Sequence, residues 1–256
     1  MEIESSIRHY LNGLGAERVA VAYSGGFDST LLLSVLSAVI PDGCVGVFVD
    51  SPLISERQRR AAVNVAGHLG LRIVVTEIGM GDLSEVCRNT PERCYHCKKA
   101  IYRAVMDIAS DLGADVCMDG ENADDMIDDR PGRRAAGEFN FLSPFAELDI
   151  GRREIVEAVE MMRLPEMMIK DTCMATRIRT GNPFSERELR LVEDCESFVR
   201  KETGVRQLRV RLDGNNATIL TSPEETARLM MFTDTVFRGL KRKGLNPSVD
   251  REGYKG

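Results

Sequence analysis

A doubly wound α/β fold, with a parallel sheet and a small C-terminal α+β domain, is expected from three features of this chain. Short apolar, β-prone runs alternate with helical stretches through the first part of the sequence. Those runs are continuous rather than alternating, as strands read when both faces of a sheet are covered. From Ser185 onward the order changes to helix, hairpin, helix, the pattern of a separate α+β unit.

The elements follow in order. Residues from Ser5 to Leu14 form an amphipathic lead-in helix. Val19-Ala20-Val21-Ala22 is the central strand; it turns through Ser24-Gly25-Gly26-Phe27-Asp28-Ser29 into a helix carrying Leu31, Leu32, Leu33, Val35 and Leu36. Pro41-Asp42-Gly43 marks a turn, and Val45 to Asp50 is a second buried strand. Ser55 is placed to N-cap a helix through Leu69, with Glu56 in its first turn. Arg72 to Thr76 is a third strand; a cysteine-bearing segment and a helix near Lys98 to Leu112 follow. Asp115 to Gly120 is a fourth strand ending at a glycine. Ser185-Glu186-Arg187-Glu188 has the form of a capping box and opens a helix to about Thr203. Gln207–Leu212 and Ala217–Thr221 are strands joined through Asp213-Gly214-Asn215-Asn216, a hairpin signal. Pro223 opens a last helix, to about Lys243. A boundary between Cys173 and Pro183 divides the chain into domains 1–177 and 178–256.

Composition narrows the function. A chain of 256 residues can fill one large core or two modest ones. The net charge of −6 argues against a protein that coats nucleic acid. Met1-Glu2-Ile3-Glu4 is acidic and lacks a signal-peptide core, and no stretch is apolar enough to span a bilayer. The seven cysteines then read as thiols of a reducing compartment, and a cytoplasmic protein is expected.

Two places carry chemistry. A strand, a Gly-rich loop and a helix N-terminus together make an anion site, because backbone N–H groups converge there and the helix dipole favours negative charge. Gly25 and Gly26 admit phosphate oxygens, Ser24 and Ser29 add hydroxyls, and Asp28 is placed to hold magnesium. In parallel sheets ligands sit at the carboxyl ends of strands, so the Asp50-Ser51 and Gly120 ends belong with this loop. The alternative is a plain strand-to-helix turn using Gly and Asp for geometry. The second place is Cys94-Tyr95-His96-Cys97, with Cys173 as a third thiol in a short polar segment. Such a C-x-x-C pair serves redox chemistry, zinc or an iron–sulfur cluster. Cys44 and Cys117 are assigned to the core, Cys195 to a helix interior, Cys87 to no role, and His96 to a spacer.

The loop Ser24 to Ser29 resembles the PP-loop of ATP pyrophosphatases, S-G-G-x-D-S; it lacks the Gly-Lys-Ser/Thr ending of a Walker A loop. Four further blocks sharpen this into a resemblance to the LarE family of PP-loop sulfurtransferases: Thr90 to Lys98; Gly120 to Asp125 leading to Arg130-Pro131-Gly132; Cys173 to Arg177 followed by Gly181; and Gln207 to Arg211. The resemblance implies ATP and magnesium, with Ser24, Gly25, Gly26, Asp28, Ser29, Asp50 and Gly120 at the nucleotide. It also implies that Cys94, Cys97 and Cys173 hold a 4Fe–4S cluster, with Lys98 and Arg177 near the reacting groups. Arg209 and Arg211 would grip the substrate phosphate; otherwise they form a solvated strand face. Glu196 and Asp234 align loosely with acidic family residues but read as surface charges.

The implied reaction is adenylation of a carboxylate of pyridinium-3,5-biscarboxylic acid mononucleotide, then sulfur attack to give a thiocarboxylate for the nickel-pincer cofactor. The implied partners are a small nucleotide substrate and copies of the chain itself in a homo-oligomer, commonly a hexamer in the family. A PP-loop tRNA thiolase with a three-cysteine cluster is the alternative. Three departures from the family pattern concern the substrate: Glu121 where threonine is common, Arg152 where lysine is usual, and the short end Glu252-Gly253-Tyr254-Lys255-Gly256.

Overall fold

The computed structural model describes residues 2–126, 131–163, 168–169 and 171–250. Arg130 and the end from Glu252 to Gly256, which the sequence singles out, lie outside the described residues. The chain divides into two compact units, Met1–Val86 with Glu92–Asp171, and Cys87–Pro91 with Thr172–Gly256.

The first unit runs α1 (Glu2–Leu14), β1 (Val19–Ala22), α2 (Phe27–Val39), β2 (Cys44–Asp50), α3 (Glu56–His68), β3 (Ile73–Glu77), α4 (Ser84–Cys87), α5 (Arg93–Asp111), β4 (Val116–Met118), α6 (Arg133–Glu138), α7 (Pro144–Glu147) and α8 (Arg152–Met161). Its four strands are all parallel, in the order β3-β2-β1-β4. The two central strands, β1 and β2, are buried on both faces, whereas β3 at the edge is partly exposed. Val19, Val21 and Phe48 join Leu32, Leu33, Leu36, Phe145 and Ile155 on one side; Ala20, Val45, Val47 and Val49 meet Tyr102, Val105 and Phe141 on the other. The chain winds outward from β1 through β2 to β3, then returns to place β4 on the far side of β1. That reversal makes β1 and β4 a topological switch point, and it opens a crevice at their carboxyl ends.

Ser55 caps α3 in a full capping box with Gln58. The helix expected near Lys98 starts earlier: α5 opens at Arg93, with Glu92 at its N-cap, so Cys94 and Cys97 stand on its first turns. A single parallel bridge, Met118 to Leu142, extends the sheet by one rung beyond β4. It brings Ser143 beside the end of that strand.

The second unit comprises α9 (Glu186–Thr203), β5 (Leu208–Asp213), β6 (Asn216–Thr221), α10 (Pro223–Met231), α11 (Thr233–Arg242) and β7 (Asn246–Val249). Ser185 opens α9 through a capping box with Glu188. β5 and β6 form the expected hairpin, and β7 adds in parallel to β6. The last expected helix is two, broken at Phe232. Residues 172–177, placed in the first domain from sequence, pack with the second unit. The reason is a buried ion pair from Arg177 to Glu196 and a bridge from Ile178 to Leu212. The short strap Cys87–Pro91 belongs there too. Its Asn89 is fully buried, donates to the carbonyls of Arg179 and Asn182 at 2.9 Å each, and accepts from Gly181 N–H at 2.9 Å.

Candidate functional site

The crevice at the switch point is a cavity of about 270 Å³. One half of its wall is apolar, from Ala22, Val47, Phe48, Val49, Ile54 and Ile101; the other carries Ser24, Asp28, Ser29, Lys98, Gly120 and Glu121. An apolar wall opposite a few convergent polar groups suits a base-and-phosphate ligand.

The loop after β1 is folded by its own residues. Gly25 has φ +77°, a left-handed conformation, and a Cβ there would stand 2.4 Å from the Cβ of Ala62. Gly26 is the extended N-cap of α2. Ser29 Oγ accepts from Ser24 N–H at 3.1 Å and lies 3.0 Å from Ser24 Oγ. These bonds curl the loop over the first turn of α2, the positive end of the helix. At Gly120 a Cβ would come within 2.8 Å of Ser29 N, so only glycine lets the end of β4 lie this close to that turn.

Asn122, fully buried, donates its amide to Asp28 Oδ1 at 2.7 Å. That orients the carboxylate. Asp28, Asp119, Glu121 and Asp125 line the cavity against one ammonium, Lys98. A polyphosphate can enter so acidic a space only with its charge offset by cations, so this donor set fits a magnesium nucleotide. Lys98 is ion-paired with Glu121, and its Nζ lies 3.9 Å from Asp119 Oδ2 and 5.5 Å from the centroid of the Tyr102 ring. Asp119 is 4% exposed. It accepts from the Tyr102 hydroxyl, from Ser143 Oγ at 2.7 Å and from Glu121 N–H at 3.1 Å. Burial first, then the Asp119 charge, pushes the Tyr102 phenol far up, so it stays a donor.

Asp50 stands at the end of β2, where it was expected, but its carboxylate is engaged by Arg59. Nη2 donates to Oδ1 at 2.8 Å and Nε lies 2.5 Å from Oδ2. Arg152 meets the acidic turn after Gly120: its N–H donates to Asp124 Oδ2 at 2.6 Å and its Nη2 to Asp125 Oδ1 at 3.3 Å.

The cysteines separate by environment. Cys94 is exposed and Cys97 half-buried. They are three residues apart on one helix and so share a face. Two thiols spaced this way fit two ligand positions of a metal centre, and Cys173 lies in the other unit. Among the described residues no three His, Cys, Asp or Glu side chains are grouped to hold a metal ion. Burial pushes the thiols of Cys44 and Cys195 up to about 12 and about 11. Cys117, on β4, is half-buried rather than enclosed, with its thiol also raised by burial. Cys87, at the end of α4, is half-buried too.

In the second unit, Cys173 precedes a 3₁₀ turn, Met174–Arg177. Arg177 is fully buried. Its Nε donates to Glu196 Oε1 at 3.0 Å; its Nη1 donates to Thr172 O and Thr172 Oγ1 at 2.7 Å each and to Cys173 O at 3.3 Å. Glu196 is 1% exposed, not the surface charge expected from sequence. It takes Arg200 Nη2 at 2.9 Å and Val210 N–H at 3.1 Å as well. The charge can be buried because Arg177, Arg200 and the Val210 N–H all donate to it. Asp234 is exposed in the first turn of α11, as expected. Arg209 and Arg211 alternate with the buried Leu208, Val210 and Leu212, so they share the outward face of β5.

The structure thus gathers Ser24, Asp28, Ser29, Lys98 and Gly120 around one cavity. Sequence reasoning missed Asp119 and Tyr102. The position of Asp119 at the end of a strand, next to Gly120, was a signal; Tyr102 offered none.

A profile of the NAD synthase family matches residues 1–101. The chain is similar to an uncharacterized protein of Methanocaldococcus jannaschii, 32% identical over 228 residues that cover 89% of this chain and 86% of that one. An uncharacterized protein of Synechocystis is 30% identical over 261 residues, 99% of this chain and 96% of the relative. The pyridinium-3,5-bisthiocarboxylic acid mononucleotide synthase of Lactiplantibacillus plantarum is 27% identical over 242 residues, 93% of this chain and 87% of the synthase.

Proposed function

We propose that the chain is an ATP-dependent sulfur transferase of the LarE family, on the strength of its NAD synthase-like N-terminal part and its similarity to the Lactiplantibacillus plantarum synthase over most of its length. It activates a carboxylate of pyridinium-3,5-biscarboxylic acid mononucleotide as the adenylate and converts it to a thiocarboxylate, a step toward the nickel-pincer cofactor. The observation that carries this is the cavity at the switch point, where a left-handed Gly25, the N-terminus of α2 and the close approach of Gly120 leave room for phosphates beside an apolar wall.

The chemistry assigns the roles. A carboxylate oxygen leaves poorly; esterified to AMP it leaves well. Ser24, Gly25, Gly26 and Ser29 hold the departing pyrophosphate through N–H and hydroxyl donors, which stabilise charge as it develops. Asp28, oriented by Asn122, would hold the magnesium that offsets the phosphate charge. Lys98 offsets charge at the nucleotide. Asp50 acts through Arg59 at the edge of the β2 end. Cys173 presents the sulfur-bearing position, and Arg177 is a positioning residue that fixes the Thr172 and Cys173 carbonyls. Arg209 and Arg211 take the substrate phosphate on the outward face of β5.

Cys94, Cys97 and Cys173 would hold a 4Fe–4S cluster, which would supply sulfide-level sulfur to the activated acid. Anaerobic purification with iron and sulfide assay tests the cluster: about four irons per chain are expected, and zinc in their place would refute it. Incubation with ATP, magnesium and the pyridinium dicarboxylate tests the reaction. Pyrophosphate should be released and one oxygen of the small molecule replaced by sulfur. Cys173→Ala should abolish that replacement, by about a thousandfold or more, and leave pyrophosphate release nearly intact. Loss of both activities together would remove Cys173 from the sulfur step.

A further inference from the structure

Resting on the nucleotide-site assignment above, we propose that Glu121 is a built-in competitor for Lys98: an internal carboxylate that occupies the anion position of the cavity until a nucleotide phosphate displaces it. Among the described residues lining this cavity, Lys98 is the one ammonium. It is already satisfied within the chain, by an ion pair to Glu121.

Two carboxylates flank Lys98, and they differ in freedom. Asp119 is tied down by the Tyr102 hydroxyl, by Ser143 Oγ and by Glu121 N–H, and its side chain is 6% exposed. It cannot leave without stranding those donors. Glu121 has its backbone pinned to Asp119, but its side chain is 17% exposed and its carboxylate is held by Lys98. It is the anion that can swing away. Lys98 itself, 26% exposed, is reachable from the cavity.

The consequence is electrostatic. A phosphate that approaches Lys98 meets a like charge at the same ammonium and must take its place. The exchange returns little to a weakly bound anion, and more to one held also by the loop N–H groups and by magnesium. Glu121 therefore sets the threshold of affinity for anions without touching the base.

Binding measurements on the whole chain separate the possibilities. AMP and the uncharged nucleoside adenosine serve as probes, by calorimetry at fixed salt. Glu121→Gln keeps the shape and removes the charge; Glu121→Thr is the second variant, and thermal unfolding checks that both fold. Both should bind AMP about tenfold more tightly than the wild type, equal to about 1.4 kcal/mol, with adenosine affinity unchanged. Unchanged or weaker AMP binding in folded variants would overturn the competitor role and make Glu121 a support for Lys98. An equal gain for adenosine would also overturn it, since shape rather than charge would then be at work. A wild-type chain that binds neither probe nor magnesium ATP would refute the nucleotide assignment itself, and the competitor with it.

Discussion

The loop after β1 and the turn after Cys173 both carry residues of the proposed site on a short segment, and they are held in opposite ways. The loop is held by backbone conformation and two hydroxyls, all within Ser24 to Thr30. The turn is held by one buried guanidinium, whose counter-charge comes from Glu196 on α9 and whose surroundings include Arg200 and the first half of β5. A local device needs little else to form. A buried ion pair commits its whole unit, because removing one partner leaves the other stranded.

The sharpest test of that contrast is Arg177→Ala. It leaves the Glu196 carboxylate buried beside Arg200 alone among the cations that now reach it, and it frees the carbonyls of Thr172 and Cys173. Stability should fall by about 3–5 kcal/mol, read as a shift of the urea midpoint. A loss below about 1 kcal/mol would place this pair with ordinary surface contacts and erase the distinction.

Gly25→Ala tests the other side. It forces a side chain into a left-handed position and against Ala62. A cost of about 1–3 kcal/mol is expected, with nucleotide binding lost out of proportion to stability. If binding survives in the folded variant, the loop is not the phosphate cradle.

The smallest effect concerns the thiols. Burial raises Cys44 from 9.0 to about 12 and Cys195 from 9.0 to about 11. A raised thiol means that the folded state holds its proton more tightly than the unfolded chain. The contribution to stability is whole below about pH 9 and drains away as pH climbs through the folded values. The unfolding midpoint should therefore decline above pH 9, and Cys44→Ala and Cys195→Ala together should flatten that decline. At pH 8, alkylation followed by mass spectrometry should mark the exposed Cys94 well before Cys44 or Cys195. Equal labelling rates would mean that the cores of the two units open far more readily than their packing implies.

Much of this was legible in the chain. The run from Val19 to Leu36 reads as strand, Gly-rich loop and helix because each piece is dictated by near neighbours. The capping boxes at Ser55 and Ser185 are equally local. β7 was not legible: Asn246 to Val249 contains Pro247 and becomes a strand only through its parallel pairing with β6. The break at Phe232 and the early start of α5 escaped because neither N-cap residue, Phe232 or Glu92, makes a side-chain capping bond that the sequence could signal.

By itself the sequence determined the parallel sheet, the anion loop and the thiols available for chemistry, because apolar runs, glycines and caps act over a few residues. Only the tertiary structure decided that Glu196 is enclosed, that Arg177 is a strut for the cysteine turn, and that Lys98 pairs with Glu121 in the cavity wall. The charge of a side chain is written in its letter. Whether water reaches it depends on distant segments that pack over it, and that burial fixes what the charge costs and what it can hold.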